Sequence, residues 1–238
     1  MVYTVPMDTV LLIDKPKGIT SARAVALIKK RLRVKVGHTG TLDPLATGLL
    51  IVLTGKRTKQ AGAFLHMDKT YTVEGILGVT TTTYDVAGET VKACDARVSR
   101  DEVERVLGEF TGEIRQTPPA FSAKKLKGKK AYELARKGVD VDIPPVNVTV
   151  YSLRLLSFDY PNFKLECDVS SGFYVRSLVH DIGERLGVGA TVIEVRRLKV
   201  GSYSVDDAWS LDDMLNTMQP PGDQSGPPSG DSGHPAHV

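Results

Sequence analysis

The sequence predicts an α+β fold: a central sheet, mixed and mostly antiparallel, flanked by helices. Three observations carry that expectation. Strand-like and helix-like segments are interspersed without the regular one-helix-per-strand alternation of a doubly wound parallel sheet. Two β-rich runs, Val146 to Phe158 and Phe163 to Val169, flank Asp159-Tyr160-Pro161-Asn162, which reads as a hairpin and therefore as antiparallel pairing. There is no self-similarity at periods of about 20 to 50 residues and no Gly-rich phosphate loop.

Taken in order, the apolar run Val10 to Ile13 is a strand that ends at Asp14-Lys15-Pro16-Lys17-Gly18, a turn in which Pro presets one dihedral and Gly frees another. A helix follows, capped by Thr20 or Ser21, with Val25, Ile28 and Leu32 on its apolar face and Lys29, Lys30, Arg31 and Arg33 elsewhere. Leu49 to Leu53 is a buried strand and Tyr71 to Leu77 another. Ser99 and Glu102 form a capping box that opens a helix through Val103, Val106, Leu107 and Phe110. Tyr174 to Leu186 has apolar positions Val175, Leu178, Val179, Ile182 and Leu186, with Gly187 at the stop, and is a helix. Thr191 to Val200 follows as a strand, and Ser210 to Asn216 closes the fold with a short helix.

Composition narrows the class. Of 238 residues, 41% are hydrophobic and 25% charged, with Lys+Arg 31 against Asp+Glu 28, an ordinary globular balance. Residues 219–238 hold five Pro, four Gly and three Ser with little apolar material, so they are expected to form a disordered tail. The expected folding unit is residues 1–218, carrying a net +5 because the tail takes two Asp and no cation. No apolar run approaches the ~20 residues of a membrane span, and the N-terminus lacks the pattern of a secretory signal. A cytoplasmic protein is the expectation. Cys94 and Cys167 lie far apart in no metal-ligand spacing, which argues against a disulfide framework or structural zinc and makes both buried small hydrophobes.

The charge is unevenly spread. Arg115 to Lys137 holds eight cations against Glu133 alone, a local +7, together with Phe121 and Tyr132. Entered through Pro118 and Pro119 and flexed at Gly128, it suits an arm that neutralises phosphates while its rings stack on bases. A solvated surface loop is the plainer alternative. Lys29 to Lys35, and Lys56, Arg57 and Lys59, form further basic clusters.

The most informative run is Gly37-His38-Thr39-Gly40-Thr41-Leu42-Asp43-Pro44-Leu45-Ala46-Thr47-Gly48. Three Gly and one Pro make a loop with special dihedrals that presents Asp43 from a rigid base. No second acid, Ser/His/Asp set or metal ligands accompany it, so paired-carboxylate or zinc hydrolysis is poorly supported. A lone Asp can act as a covalent nucleophile at a sugar or base carbon. An aspartate before proline can equally be an Asx-turn residue.

These residues resemble the TruB-type pseudouridine synthases. The family's catalytic pattern, Gly-His-x-Gly-x-Leu-Asp-Pro-x-Ala-x-Gly, is matched from Gly37 to Gly48 without a gap. Asp14 to Ser21 resembles its opening motif, and Lys69-Thr70-Tyr71 its second-strand tyrosine motif. Leu77 to Gly88, with Thr81, Thr83 and Asp85, resembles its Thr/Asp loop. Gln116 to Lys125 is similar to its RNA-gripping insertion, with Phe121 where Tyr is usual. Gly172-Phe173-Tyr174-Val175-Arg176-Ser177 matches its Gly-x-Tyr-x-Arg motif, and Arg196-Arg197-Leu198 the strand after it.

The resemblance implies the pseudouridine synthase fold with a basic insertion at about residues 115–145, and an isomerase needing no metal or organic cofactor. Its expected substrate is tRNA, gripped by the T arm, with uridine 55 of the T loop flipped out and isomerised. Asp43 is then the nucleophile, at C1′ or at C6. Tyr71 stacks on the flipped base, Arg176 pairs with Asp43 and keeps it ionised, and Tyr174 lines the pocket. His38 fills the space the uridine leaves. Lys15, Lys124 and Lys125 contact RNA, Val195 stands where the family often has a substrate-contacting Leu, and Asp85 with Arg197 extends the charge network. His66, His180, His234 and His237 receive no role. The implied protein is a monomer with no protein partner and no membrane contact. Family members commonly carry a C-terminal RNA-binding domain of the PUA type, and the composition after about Asn216 predicts none here. Modification through a guide RNA with partner proteins, or an RNA-folding module, are the alternatives.

Overall fold

The computed structural model of the chain describes residues 3–122, 124–126, 128–135 and 142–221. Its principal elements are β1 (Val10–Lys15), α1 (Ser21–Leu32), β2 (Val36–Thr39), β3 (Thr47–Thr54), β4 (Lys69–Leu77), α2 (Arg100–Gly108), β5 (Gly112–Gln116), β6 (Val146–Asp159), β7 (Asn162–Val169), α3 (Val175–Arg185), β8 (Ala190–Val200), β9 (Trp209–Ser210) and α4 (Leu211–Thr217). This is the α+β organisation expected, with parallel and antiparallel pairs in its sheets. The chain divides into two compact units, Met1–Met67 with Arg196–Val238, and Asp68–Val195, the division falling inside β8.

The first unit is built on β3. Leu49, Leu50, Ile51, Val52 and Leu53 all have no exposed surface, so both faces of the strand are covered, which is why it reads as a continuous apolar run rather than an alternating one. One edge of β3 takes β1 antiparallel, Val10 opposite Leu53 through Lys15 opposite Gly48. The other edge is shared: β2 pairs antiparallel, from Val36 opposite Thr54 to Thr39 opposite Ile51, and β8 pairs parallel through Arg196 opposite Thr47 and Arg197 opposite Gly48. On one face Leu49, Ile51 and Leu53 pack with Val10, Phe64, Val200 and Val205.

The second edge corrects the reading of Gly37 to Gly48 as loop throughout. Gly37, His38 and Thr39 belong to β2, because the backbone groups of Leu53, Val52 and Ile51 opposite them need partners when buried. In α1, Thr20 is the cap, accepting from the Arg23 N–H at 3.0 Å. Its buried stripe is Ser21, Ala24, Ile28 and Leu32, so Ala24 replaces the expected Val25, which is only half-buried. Ser210 caps α4, as the run Ser210 to Asn216 predicts. Met218–Gln219 pairs in parallel with Tyr3–Thr4, so paired structure includes Gln219, the first residue assigned to the tail; residues 222–238 lie outside those described.

The second unit is antiparallel. β7 pairs with β4 from Asn162 opposite Ile76 to Val169 opposite Lys69, and on its other side with β6 through the predicted hairpin. β6 in turn pairs with β5, Val146 opposite Gln116. Along β4 the period of two buries Lys69, Tyr71, Val73 and Leu77 on one face. α2 carries the full capping box of Ser99 and Glu102. α3 buries Val175, Leu178, Val179 and Ile182 as its periodicity requires, and Gly187 follows with φ 76°. Cys167 is buried, which pushes its thiol up to about 12, whereas Cys94 is only half-buried, against expectation; neither is disulfide-bonded. No helix among the described residues is long and apolar enough to cross a membrane.

α3 meets the start of β8 at Gly183, where a Cβ would lie 2.1 Å from the Ala190 nitrogen. Backbone cannot yield as a flexible side chain does. Gly183→Ala is therefore expected to destabilise the protein by roughly 1–3 kcal/mol, seen as a lower urea midpoint; an unchanged midpoint would show that the contact relaxes freely.

Candidate functional site

In the first unit, Asp43 sits half-buried on the loop between β2 and β3. Three anchors hold that loop. Ser21, at the start of α1, accepts from the Leu42 N–H at 2.9 Å and donates to the Leu42 carbonyl at 3.0 Å, both residues being buried. The Pro44 carbonyl accepts from the Gly18 N–H at 2.8 Å, and the Asp43 carbonyl from the Ala46 N–H at 3.1 Å. Arg197, only 2% exposed, donates from Nε to the Leu49 carbonyl at 2.7 Å and from Nη2 to the Gly40 carbonyl at 3.0 Å. Gly48 permits this approach: with φ 98°, any Cβ there would fall 2.2 Å from the Arg197 carbonyl oxygen.

Lys15, at the end of β1, has no exposed surface and donates to the Pro16 and Ile19 carbonyls, each at 2.8 Å. Burial pulls its ammonium down to about 8, while the Asp43 carboxylate works in the opposite direction. It is cationic at neutral pH, within electrostatic reach of Asp43. His38, on β2, is held below its ordinary value of 6.5, first by burial and then by Arg197, so it is neutral at pH 7. Arg196 forms a two-pronged pair with Asp14, at 3.0 and 2.7 Å.

In the second unit, Arg176 lies in the first turn of α3 and is 7% exposed. Nη1 donates to the Thr83 carbonyl and Nη2 to the Phe121 carbonyl, both at 2.9 Å, and Nε stands 3.8 Å from Asp85 Oδ2. Asp85 also accepts from Thr83 Oγ1 at 2.6 Å and from the Ala87 N–H at 3.0 Å. Tyr71 is buried on β4, opposite Cys167. Tyr174 is fixed by its backbone: its N–H donates to Gln116 Oε1 at 2.8 Å and its carbonyl accepts from Gln116 Nε2 at 3.0 Å. Ser177 Oγ donates to the Thr117 carbonyl at 2.7 Å, so, with the two Gln116–Tyr174 bonds and the Arg176–Phe121 bond, the start of the basic insertion is tied to α3 and its N-cap four times. Val195 is buried at the end of this unit. Lys124 is half-buried; Lys125 belongs to a two-residue strand, Lys125–Leu126, paired with Lys129–Lys130 and followed by the helix Ala131–Ala135. The Lys125 side chain and arm residues 123, 127 and 136–141 lie outside the described residues.

The first unit thus gathers Lys15, His38, Asp43 and Arg197, and the second gathers Asp85, Tyr174 and Arg176. Ser21, expected only as a possible helix cap, Gln116 and the Asp14–Arg196 pair take roles in the site that their sequence context did not signal. All four residues stood inside quoted motifs, but polar side chains that clamp backbone leave no periodicity to find. Among the described residues no group of three or more His, Cys, Asp or Glu is placed to hold a metal.

Two outcomes follow from this geometry. Ser21→Ala strands the buried Leu42 N–H, so it is expected to cost roughly 1–3 kcal/mol and to speed amide exchange at Leu42; unchanged exchange would remove Ser21 as an anchor. For Lys15, between pH about 8 and 10.5 the unfolded chain binds a proton that the folded chain does not, so this group makes stability rise with pH across that window. The urea midpoint of wild type relative to Lys15→Met should climb from pH 8 to 10, and a flat difference would contradict a buried, charged Lys15.

Residues 27–175 match the model of the TruB family pseudouridylate synthase N-terminal domain, and residues 176–224 that of the tRNA pseudouridylate synthase B C-terminal domain. The chain is 51% identical over 217 residues to tRNA pseudouridine synthase B of Aquifex aeolicus (strain VF5), covering 90% of this chain and 76% of that one. It is 44% identical to the protein of the same name from Pseudomonas fluorescens, covering 86% of this chain and 68% of that one. Among solved structures it resembles a chain of a Cbf5-Nop10-Gar1 complex, with TM-score 0.70 and 31% identity, and one of an H/ACA RNP bound to a substrate RNA containing 2′-deoxyuridine, with TM-score 0.66 and 30% identity. It covers 88% and 87% of itself in these matches but spans only about half of those chains, 54% and 52%. The fold is that of the pseudouridine synthases, and the chain belongs to the TruB family of pseudouridylate synthases.

Proposed function

We propose that this protein isomerises uridine 55 in the T loop of tRNA to pseudouridine, acting in the cytoplasm as a monomer without a metal or organic cofactor. The observation that carries the reading is the unbroken Gly37 to Gly48 segment, with Asp43 on a loop pinned by Ser21 and Arg197, in a chain 51% identical to a tRNA pseudouridine synthase B. The reaction breaks the N1–C1′ bond and forms a C5–C1′ bond; the C5 proton leaves and N1 is protonated. No oxidant, reductant or second substrate is consumed, so a nucleophile and positioning groups suffice.

Asp43 is the nucleophile, by attack at C1′ after glycal formation or at C6. Tyr71 stacks on the extruded base and Arg176 pairs with the Asp43 carboxylate. His38, neutral and therefore cheap to desolvate, takes the place of the flipped uridine. Tyr174 and Val195 line the base pocket, and Asp85 and Arg197 hold the cations and backbone around it. Lys124 and Lys125, from the basic insertion, meet phosphates; Lys15, expected to contact RNA, is fully buried and acts instead by its charge within reach of Asp43. A guide-RNA mode is less well supported, because identity falls from 51% with the tRNA enzyme of Aquifex to 31% with the Cbf5 chain.

The test is pseudouridine mapping on tRNA and on an isolated T-arm transcript. Wild type should modify both without any guide RNA. Asp43→Asn should keep RNA affinity within about two-fold and lose turnover by at least the 10³-fold typical of a removed nucleophile. Appreciable turnover by that variant would sink the nucleophile assignment, and dependence on a guide would sink the tRNA reading.

A further inference from the structure

Thr83, Tyr84 and Asp85 lie against two successive turns of α3. Arg176 and His180 stand four residues apart on that helix and so share a face. Arg176 Nη1 takes the Thr83 carbonyl at 2.9 Å. One turn further on, the His180 ring lies flat on the Tyr84 ring, with centroids 3.8 Å apart and planes 6° from parallel. Nδ1 of His180 is buried and has no hydrogen-bond partner among the described residues, so it is the stack that orients the ring.

Tyr84 has φ 62°, in the left-handed region that a residue with a Cβ and a ring enters only against steric cost. Its backbone is held on both sides: the N–H donates to the Thr81 carbonyl at 3.2 Å and the carbonyl accepts from the Val192 N–H at 3.0 Å. The reversal at Tyr84 presents its two neighbours to one guanidinium, Thr83 through its carbonyl and Asp85 through its carboxylate, 3.8 Å from Arg176 Nε. Thr83 Oγ1 ties the two neighbours together by donating to Asp85 Oδ1 at 2.6 Å.

We infer that the Tyr84–His180 stack is a positioning device for Arg176. It holds the left-handed turn at Tyr84 closed, and through Thr83 and Asp85 that turn sets the direction of the guanidinium. Tyr84 and His180 are positioning residues, and the inference rests on the pseudouridine synthase reading, in which Arg176 serves the nucleophile. The stacked pair also explains why a tyrosine is tolerated at a position whose backbone favours glycine: the ring contact with α3 offsets the conformational cost.

The test uses the full chain and five variants: His180→Ala, His180→Phe, Tyr84→Ala, Tyr84→Gly, and the double variant His180→Ala with Tyr84→Gly. Glycine adopts φ 62° freely and phenylalanine keeps a flat ring for stacking. His180→Ala and Tyr84→Ala should lower kcat for pseudouridine formation by about ten-fold while leaving KM for tRNA within about two-fold. His180→Phe, Tyr84→Gly and the double variant should stay within about three-fold of wild type. In parallel, hydrogen exchange of the Arg176 Nε–H, followed by ¹⁵N NMR, should be slow in wild type and in the three rescued proteins and fast in the two alanine variants. Normal kcat and slow exchange in His180→Ala, or equal losses in Tyr84→Ala and Tyr84→Gly, would overturn the inference. Should the wild type make no pseudouridine, the functional reading falls, and the exchange series by itself decides the positioning role.

Discussion

The segment that carries Asp43 depends on a guanidinium that has almost no contact with solvent. Arg197 lies on β8 beside Gly48 of β3, and its Nε and Nη2 reach the carbonyls of Leu49 and Gly40, one on each side of the Asp43 loop. A buried cation left without acceptors costs far more than it returns, so the loop cannot move away without exposing that cost. The missing Cβ at Gly48 is what allows the Arg197 backbone to come so near, and a strand buried on both faces gives the arrangement a rigid floor.

The same device recurs. Lys15 donates to the Pro16 and Ile19 carbonyls, and Arg176 to those of Thr83 and Phe121. Carbonyls satisfy the donors but carry no net charge, so they fix a cation's direction without neutralising it. The first unit therefore holds Lys15 and Arg197, and the second Arg176, as buried cations whose direction the backbone sets. The modest net charge of +3 hides them, because what matters is where the cations are held.

Much of the fold was legible because its signals are local. The double-sided burial of β3 shows as the run Leu49 to Leu53, the period of two shows in β4, and the capping box shows as Ser99 with Glu102. The departures have a common cause in distant partners. His38 and Thr39 look like loop beside three glycines but become strand because β3 has a second edge to fill. Ala24 displaces Val25 from the buried stripe because the neighbours of α1, not its own hydropathy, choose the face that is covered. Gln116 and Ser21 are ordinary polar residues until the tertiary fold brings the backbones of Tyr174 and Leu42 against them.

By itself the sequence determined the α+β class, the order of the main strands and helices, the isolation of one carboxylate on a Gly-rich loop, and the family pattern from Gly37 to Gly48. These follow from periodicity, turn chemistry and residue identity, which act over a few positions along the chain. Only the tertiary structure decided which carbonyls hold Lys15, Arg176 and Arg197, that Arg196 pairs with Asp14, and that His180 lies on a left-handed Tyr84. Apart from the local grip of Lys15 on Pro16 and Ile19, those contacts join residues separated by tens to more than a hundred positions, and a hydrogen bond or a ring stack leaves no trace in the spacing of either partner. Their geometry exists only once the strands have paired and α3 has packed.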